Sequence, residues 1–174
     1  MTRELAFLTI VVFALLLLAL GVWAWRRRVR RDHALVAPVG EAPADAAAIA
    51  TVSGFYVATT RHDQPLERLA IRGLGFRSRV DVVVTTAGVA LDLPGQPRLF
   101  LPAESIAAVD QATVAIDRVV EKNGLVRLVW QPGIASAEPV DSYFRPQDAS
   151  ARALADAISG ILPARTTTPT GTDV

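Results

Sequence analysis

The side chains that most often do chemistry are scarce in this sequence, and the scarcity is informative. There are two histidines, His33 and His62, and no cysteine. Histidine is the commonest general base. His62 is followed by Asp63, but nothing in the sequence positions a serine nucleophile or oxyanion donors beside the pair, so it reads as a solvated loop residue. Two histidines without a thiolate fall short of an ordinary zinc ligand set. Gly73-Leu74-Gly75 opens like a phosphate-cradling run. Ser78 then stands where a third glycine would be needed, and no helical pattern follows to supply a helix N-terminus. These glycines read as a tight turn between strands. The acidic pairs Asp117/Glu121 and Glu138/Asp141 lack catalytic spacing and read as solvated strand faces. No catalytic, cofactor or metal site is expected, and no enzymatic activity.

Arginine is the exception. Arg61, Arg68, Arg72, Arg77 and Arg79 fall within 19 residues, interrupted by Asp63 and Glu67 and followed by Asp81. A guanidinium presents a planar fork of donors that suits a phosphate or carboxylate. The five are candidates for an anionic-lipid or phosphate-headgroup contact, set against the plainer reading of a charged rim. A second run, Arg26, Arg27, Arg28, Arg30 and Arg31, is a candidate for setting membrane topology and touching lipid headgroups. The chain carries a net charge of +1, but residues 50–162 hold 11 basic against 12 acidic side chains, a net of −1. Bulk charge therefore argues against nucleic-acid binding.

The second arginine run follows LAFLTIVVFALLLLALGVWAW, residues 5–25, which contain no charge. At about 1.5 Å per residue such a helix reaches roughly 30 Å, the thickness of a bilayer core. Trp23 and Trp25 sit at its end, where indoles favour the headgroup layer. A cleaved signal peptide would have a shorter apolar stretch preceded by basic residues, whereas here the arginines follow it. The positive-inside rule then places the C-terminal side in the cytoplasm and the N-terminus outside. One spanning helix without an intramembrane charge offers no path for a solute. A single-pass protein of the cell membrane is expected.

Beyond the arginines the order is a basic and Ala/Pro-rich linker over 26–49, a β-rich domain over 50–162, and a polar tail over 163–174, with a short tail over 1–4 before the helix. Within the domain the apolar positions alternate, as on half-buried strands. Val80, Val82 and Val84 share a face, as do Val89, Leu91 and Leu93 beyond a turn. Asn123-Gly124 is a strong hairpin signal, expected to pair Val119 with Leu128 and to put Val126, Leu128 and Trp130 on one buried face. The period then changes. Ala151, Leu154, Ala155, Ile158 and Leu162 form one helical stripe, with Pro146 expected at its start, Asp148 complementing its positive end and Pro163 at its stop. About seven antiparallel strands in a partly open barrel, capped by this amphipathic helix, would bury the stripe.

The order of VTTAGVALD, RLFLP, PAESIAAVD, an Asn-Gly hairpin and a closing helix resembles the bacterial pleckstrin-homology-like (PH-like) domains, with Thr86, Gly88, Pro102, Ile106 and Val109 at the matching positions. The whole chain resembles small bacterial single-pass membrane proteins that carry a cytoplasmic PH-like domain. That resemblance implies a fold and almost no chemistry; with no catalytic constellation in the residues, the expected function is a membrane-tethered interaction or scaffold module with a protein partner. Its alternative is a sensor of anionic lipid, because lipid-binding PH domains grip phosphorylated headgroups with basic residues between their first strands.

Overall fold

The computed structural model describes residues 3–32, 35, 37–71, 73–115, 118–119, 123–132 and 138–163. Arg72, His33, Asp117 and Glu121, with the tail beyond residue 163 and the side chains of Trp25, Arg28, Arg30 and Arg31, lie outside the described set.

Helix α1 spans Arg3–Asp32. Its stretch Arg3–Ala24 is long and apolar enough to cross a membrane, and none of it is buried against the rest of the chain. Phe7, Ile10 and Leu18 are about 70% exposed, on sides of the helix that no protein covers. Burial of each such side chain is worth about 1.5–3 kcal/mol. The helix does not stop at the tryptophans but carries Arg26 and Arg27 onward, and Arg27 lies 5.5 Å from the Trp23 ring.

The remaining elements are β1 (Ala48–Arg61), β2 (Gln64–Arg68), β3 (Ser78–Thr85), β4 (Gly88–Asp92), β5 (Leu99–Pro102), a 3-10 turn (Ala103–Ser105), β6 (Ile106–Ala112), β7 (Val114–Ala115), β8 (Arg118–Val119), β9 (Leu125–Trp130), β10 (Val140–Pro146) and helix α2 (Ala151–Ser159). Eight strands form one sheet in the order β5-β4-β3-β1-β10-β9-β6, with β2 on the end of β1, and β7 pairs β8 separately. Every pairing is antiparallel. Strands β5 and β6 lie at opposite ends of this order, yet only the turn Ala103–Ser105 separates them in the chain. The sheet must therefore curl until its two ends meet at one corner. No β5–β6 pairing closes it, so it is an open, barrel-like sheet.

The alternating positions do what their period demands. Val80, Val82, Val84, Val89, Leu91, Leu93, Val126, Leu128 and Trp130 all enter the main core. Helix α2 adds Ala151, Leu154, Ala155 and Ile158 to it. Replacing Leu154 by aspartate would put an unpaired carboxylate into that seam and is expected to unfold the domain, whereas Arg152→Asp, on the exposed side, is expected to be tolerated. At the β4–β5 corner Gly88 opposes Pro102, and a side chain at 88 would overlap the Leu101 carbonyl oxygen. That close approach is the physical content of the Thr86/Gly88 pattern.

A polar thread runs through the core. The Tyr56 hydroxyl lies 2.7 Å from the Leu74 carbonyl oxygen and 2.9 Å from Thr59 Oγ1, which is 2.7 Å from Ser142 Oγ, itself 2.9 Å from Trp130 Nε1. The indole can only donate and the carbonyl can only accept. One direction satisfies every group: Trp130 donates to Ser142, Ser142 to Thr59, Thr59 to Tyr56 and Tyr56 to Leu74. All four side chains are buried, and burial pushes the Tyr56 phenol well above its ordinary range.

Several local expectations are corrected. Val119 pairs with Val114, not Leu128; Leu128 sits between Val109 and Ser142, because β6 and β10 already occupy both edges of β9. Pro146 ends β10, and the N-cap of α2 is Ser150, whose Oγ accepts from the Ala153 amide at 3.1 Å. The Asp148 carboxylate instead accepts from the Ser53 amide, at 3.0 and 3.1 Å. Helix α2 stops at Ser159, a turn before Pro163, and Leu162 packs on the core from beyond its end. The stretch read as a linker is not wholly free either. Ala37 is 1% exposed, Leu35 packs on the core, and Val39 bridges Leu99.

Candidate functional site

Of the five arginines singled out in the sequence, Arg72 lies outside the described residues, and the other four do not converge on one pocket. Arg61, at the end of β1, is held by Glu138 at 2.8 Å and Glu67 at 3.4 Å. Arg68, at the end of β2, donates from Nη2 to the Val57 carbonyl at 3.3 Å. Arg77 and Arg79 belong elsewhere. Phe55 opposes Arg79 across β1 and β3, and Arg77 lies 5.3 Å from the Phe55 ring. Phe55 and Arg61 are six residues apart on one strand, about 20 Å at the rise of an extended chain. The β2 excursion therefore separates the arginines that sequence proximity had grouped.

Arg79 faces a groove of about 570 Å³ on the outer side of β1, β3 and β4, which Ser53, Phe55, Asp81, Asp92 and Gln147 also line. Two acids, Asp81 and Asp92, stand opposite each other across β3 and β4. Like charges in that position repel unless each has a partner. Ser53 Oγ donates to Asp81 at 2.6 Å, and Arg98 grips Asp92 through Nε and Nη2 at 2.6 Å each. These contacts hold the Arg98 guanidinium well above even its ordinary range, the hydrogen bonds to Asp92 coming first among the causes. Arg79 makes no ion pair among the described residues. Phe76, one residue before Arg77, is 86% exposed. Together they give an aromatic floor, an exposed aromatic and two arginines available to something else.

A second polar cluster sits at the β1–β2 hairpin. Asp141 on β10 has no exposure, yet His62 Nδ1 donates to it at 2.7 Å, the Asp63 amide at 3.1 Å and Arg127 Nη1 at 3.5 Å. Arg127 also bonds Asp110, its shortest contact being 2.7 Å, and Asp63 at 3.0 Å. The bonds to Asp110 are the first cause of its raised pKa. His62 is thus tied to a buried carboxylate, where the sequence suggested a solvated loop, and Asp141 is not on a solvated face. Burial makes the difference: a carboxylate taken out of water must collect donors. The signal available in the sequence was the acid inside the apolar run PVDSYF.

His62, Asp63 and Asp141 bring one potential ligand atom each within 4.8 Å of one another. Arg127 already pairs with both carboxylates, at 3.0 Å to Asp63 and 3.5 Å to Asp141. The cluster reads as a structural lock. As for the tight turn at Gly73-Leu74-Gly75, the Leu74 amide donates to Ile71 O at 3.0 Å and Gly73 has φ +86°.

A model of the bacterial PH domain-like family matches residues 36–158. The chain belongs to that family. The match begins beside the buried Ala37, just ahead of the residues 38–40 that pair with β5, and runs to the last core residue of α2. No curated protein matches the chain. The described residues thus comprise an N-terminal apolar helix and a PH-like domain, and the family is consistent with a protein-interaction or lipid-binding module.

Proposed function

We propose that this chain is a membrane-tethered interaction module without catalytic activity, in which α1 crosses the cell membrane with its N-terminus outside and the PH-like domain binds another protein in the cytoplasm. The observation that carries this reading is the Phe55–Arg79 groove. It offers a partner an aromatic surface and a guanidinium with no ion pair among the described residues, while Arg61 is neutralised by two glutamates. Orientation rests on the arginines from Arg26 to Arg31, which favour the cytoplasmic side. An alkaline phosphatase fused at Thr166 should be inactive and a fluorescent protein there should glow; the reverse pair overturns the topology.

The second reading is an anionic-lipid contact, favoured by the exposure of Phe76 beside Arg77. Flotation of a fragment covering residues 35–163, checked for β-rich circular dichroism, separates the two. Little binding to vesicles rich in phosphatidylserine is expected, because Asp81 and Asp92 line the same groove as Arg79 and dilute the local field. Strong binding that falls steeply with salt and is lost in Arg77→Gln/Arg79→Gln would favour lipid, since exposed charges are screened beyond about 8 Å at physiological ionic strength.

A further inference from the structure

The chain between the apolar helix and the domain is much shorter than its composition suggests. Helix α1 is continuous to Asp32. The domain already holds Leu35 against its core and buries Ala37 to 1% exposure. Three peptide units, from Asp32 to Leu35, reach at most about 11 Å at 3.8 Å per Cα step. Residues 38–40 are then laid along the edge of β5. The Phe100 amide donates to Pro38 O at 2.9 Å, the Gly40 amide donates to Arg98 O at 3.1 Å, and Val39 bridges Leu99 in antiparallel sense. Arg98 also bonds Glu41 at 3.0 Å, pinning the end of this strap.

The antiparallel sense fixes which end of the domain the tether enters. Gly40 lies beside Arg98, so following the chain back toward α1 leads along β5 to its Pro102 end. The same end carries the Thr86–Ala87 turn: the Ala103 amide donates to Ala87 O, and Thr86 exchanges hydrogen bonds with Ala47. The opposite end carries the β4–β5 loop with Gln96 and the approach to β3. From Ala103 to Arg98 is five residues, about 17 Å of extended chain.

We infer that the tether holds the PH-like domain against the bilayer by its Thr86–Ala87 and Ala103–Ser105 end, so that the β4–β5 loop and the groove mouth at Leu93-Pro94 point away from lipid. The inference rests on the spanning helix proposed above. The near end is kept close by chain length and not by affinity. Only the helical residues from Trp25 to Asp32, about 12 Å at 1.5 Å per residue, and the short link to Leu35 separate it from the apolar stretch. Asp45 and Glu104 are exposed there and acidic. The surface left to the aqueous phase is the one with Phe55 and Arg79, which fits a protein partner better than a headgroup.

The absence of cysteine makes the test direct. Full-length Glu104→Cys and Gln96→Cys proteins, each labelled with an environment-sensitive fluorophore, are reconstituted in vesicles bearing a headgroup-attached quencher. Several-fold stronger quenching is expected at 104 than at 96. A Gly/Ser insert of about 20 residues after His33, with a mean reach of roughly 25 Å, should bring the two positions level. Equal or stronger quenching at 96 in the uninserted chain overturns the inference, as does a contrast that survives the insert. Release of the protein by a carbonate wash would instead remove the spanning helix, and the inference with it.

Discussion

Two regions of the sheet use arginine in opposite ways. At the β1–β2 hairpin, Arg127 is shared among Asp110, Asp63 and Asp141, and His62 completes the shell around the buried carboxylate. On the outer side of β1 and β3, Arg79 stands opposite Phe55 with no ion pair among the described residues. The same side chain is structural in one place and available in the other. Burial separates them. Asp141 is fully buried, so its charge must be matched inside the protein, whereas Arg79 is exposed and water can solvate it. Charge clusters read from sequence alone conflate the two roles.

The largest expected effect lies on the closed side. Asp141→Ala removes the acceptor for His62 and the Asp63 amide and should cost about 3–5 kcal/mol in chemical denaturation, as when one member of a buried charged network is lost. Next comes the alkaline limit of the fold. The two tyrosines, Tyr56 and Tyr143, have pKa values raised chiefly by burial. Their contribution is complete below the unfolded value of about 10 and is lost as pH rises above it, because the unfolded phenols release protons that the folded ones keep. An absorbance titration of the folded protein should show little tyrosinate near pH 10 and then a steep rise coincident with unfolding. Two independent titrations near pH 10 in folded protein would contradict the buried thread. The smallest effect is on the open side, where Arg79→Gln should change stability by no more than about 0.5 kcal/mol. A cost comparable with that of Asp141→Ala would erase the distinction between the regions.

Much of the fold was legible because it rests on period. The valines at 80, 82 and 84 and the stripe from Ala151 to Ile158 are pattern, and pattern survives without knowledge of neighbours. The site was less legible because it rests on register. Phe55 meets Arg79 only because β3 returns along β1 after the β2 hairpin and a loop, and no local spacing records that. The hairpin signal at Asn123 illustrates the limit: Asn123 does take positive φ, 59°, but which strands flank β9 was settled by β6 and β10. The strap at Val39 was hidden for a similar reason. An Ala/Pro-rich stretch reads as linker until a strand edge is there to receive it.

The most direct measurement is photo-crosslinking in native membranes from a benzoylphenylalanine placed at Phe55, which keeps an aromatic ring in the groove, with Arg79 intact or changed to glutamate. The expected result is a discrete protein adduct that disappears in the Arg79→Glu chain. Adducts with phospholipid alone, or a protein adduct indifferent to Arg79→Glu, would contradict the groove as the partner's seat.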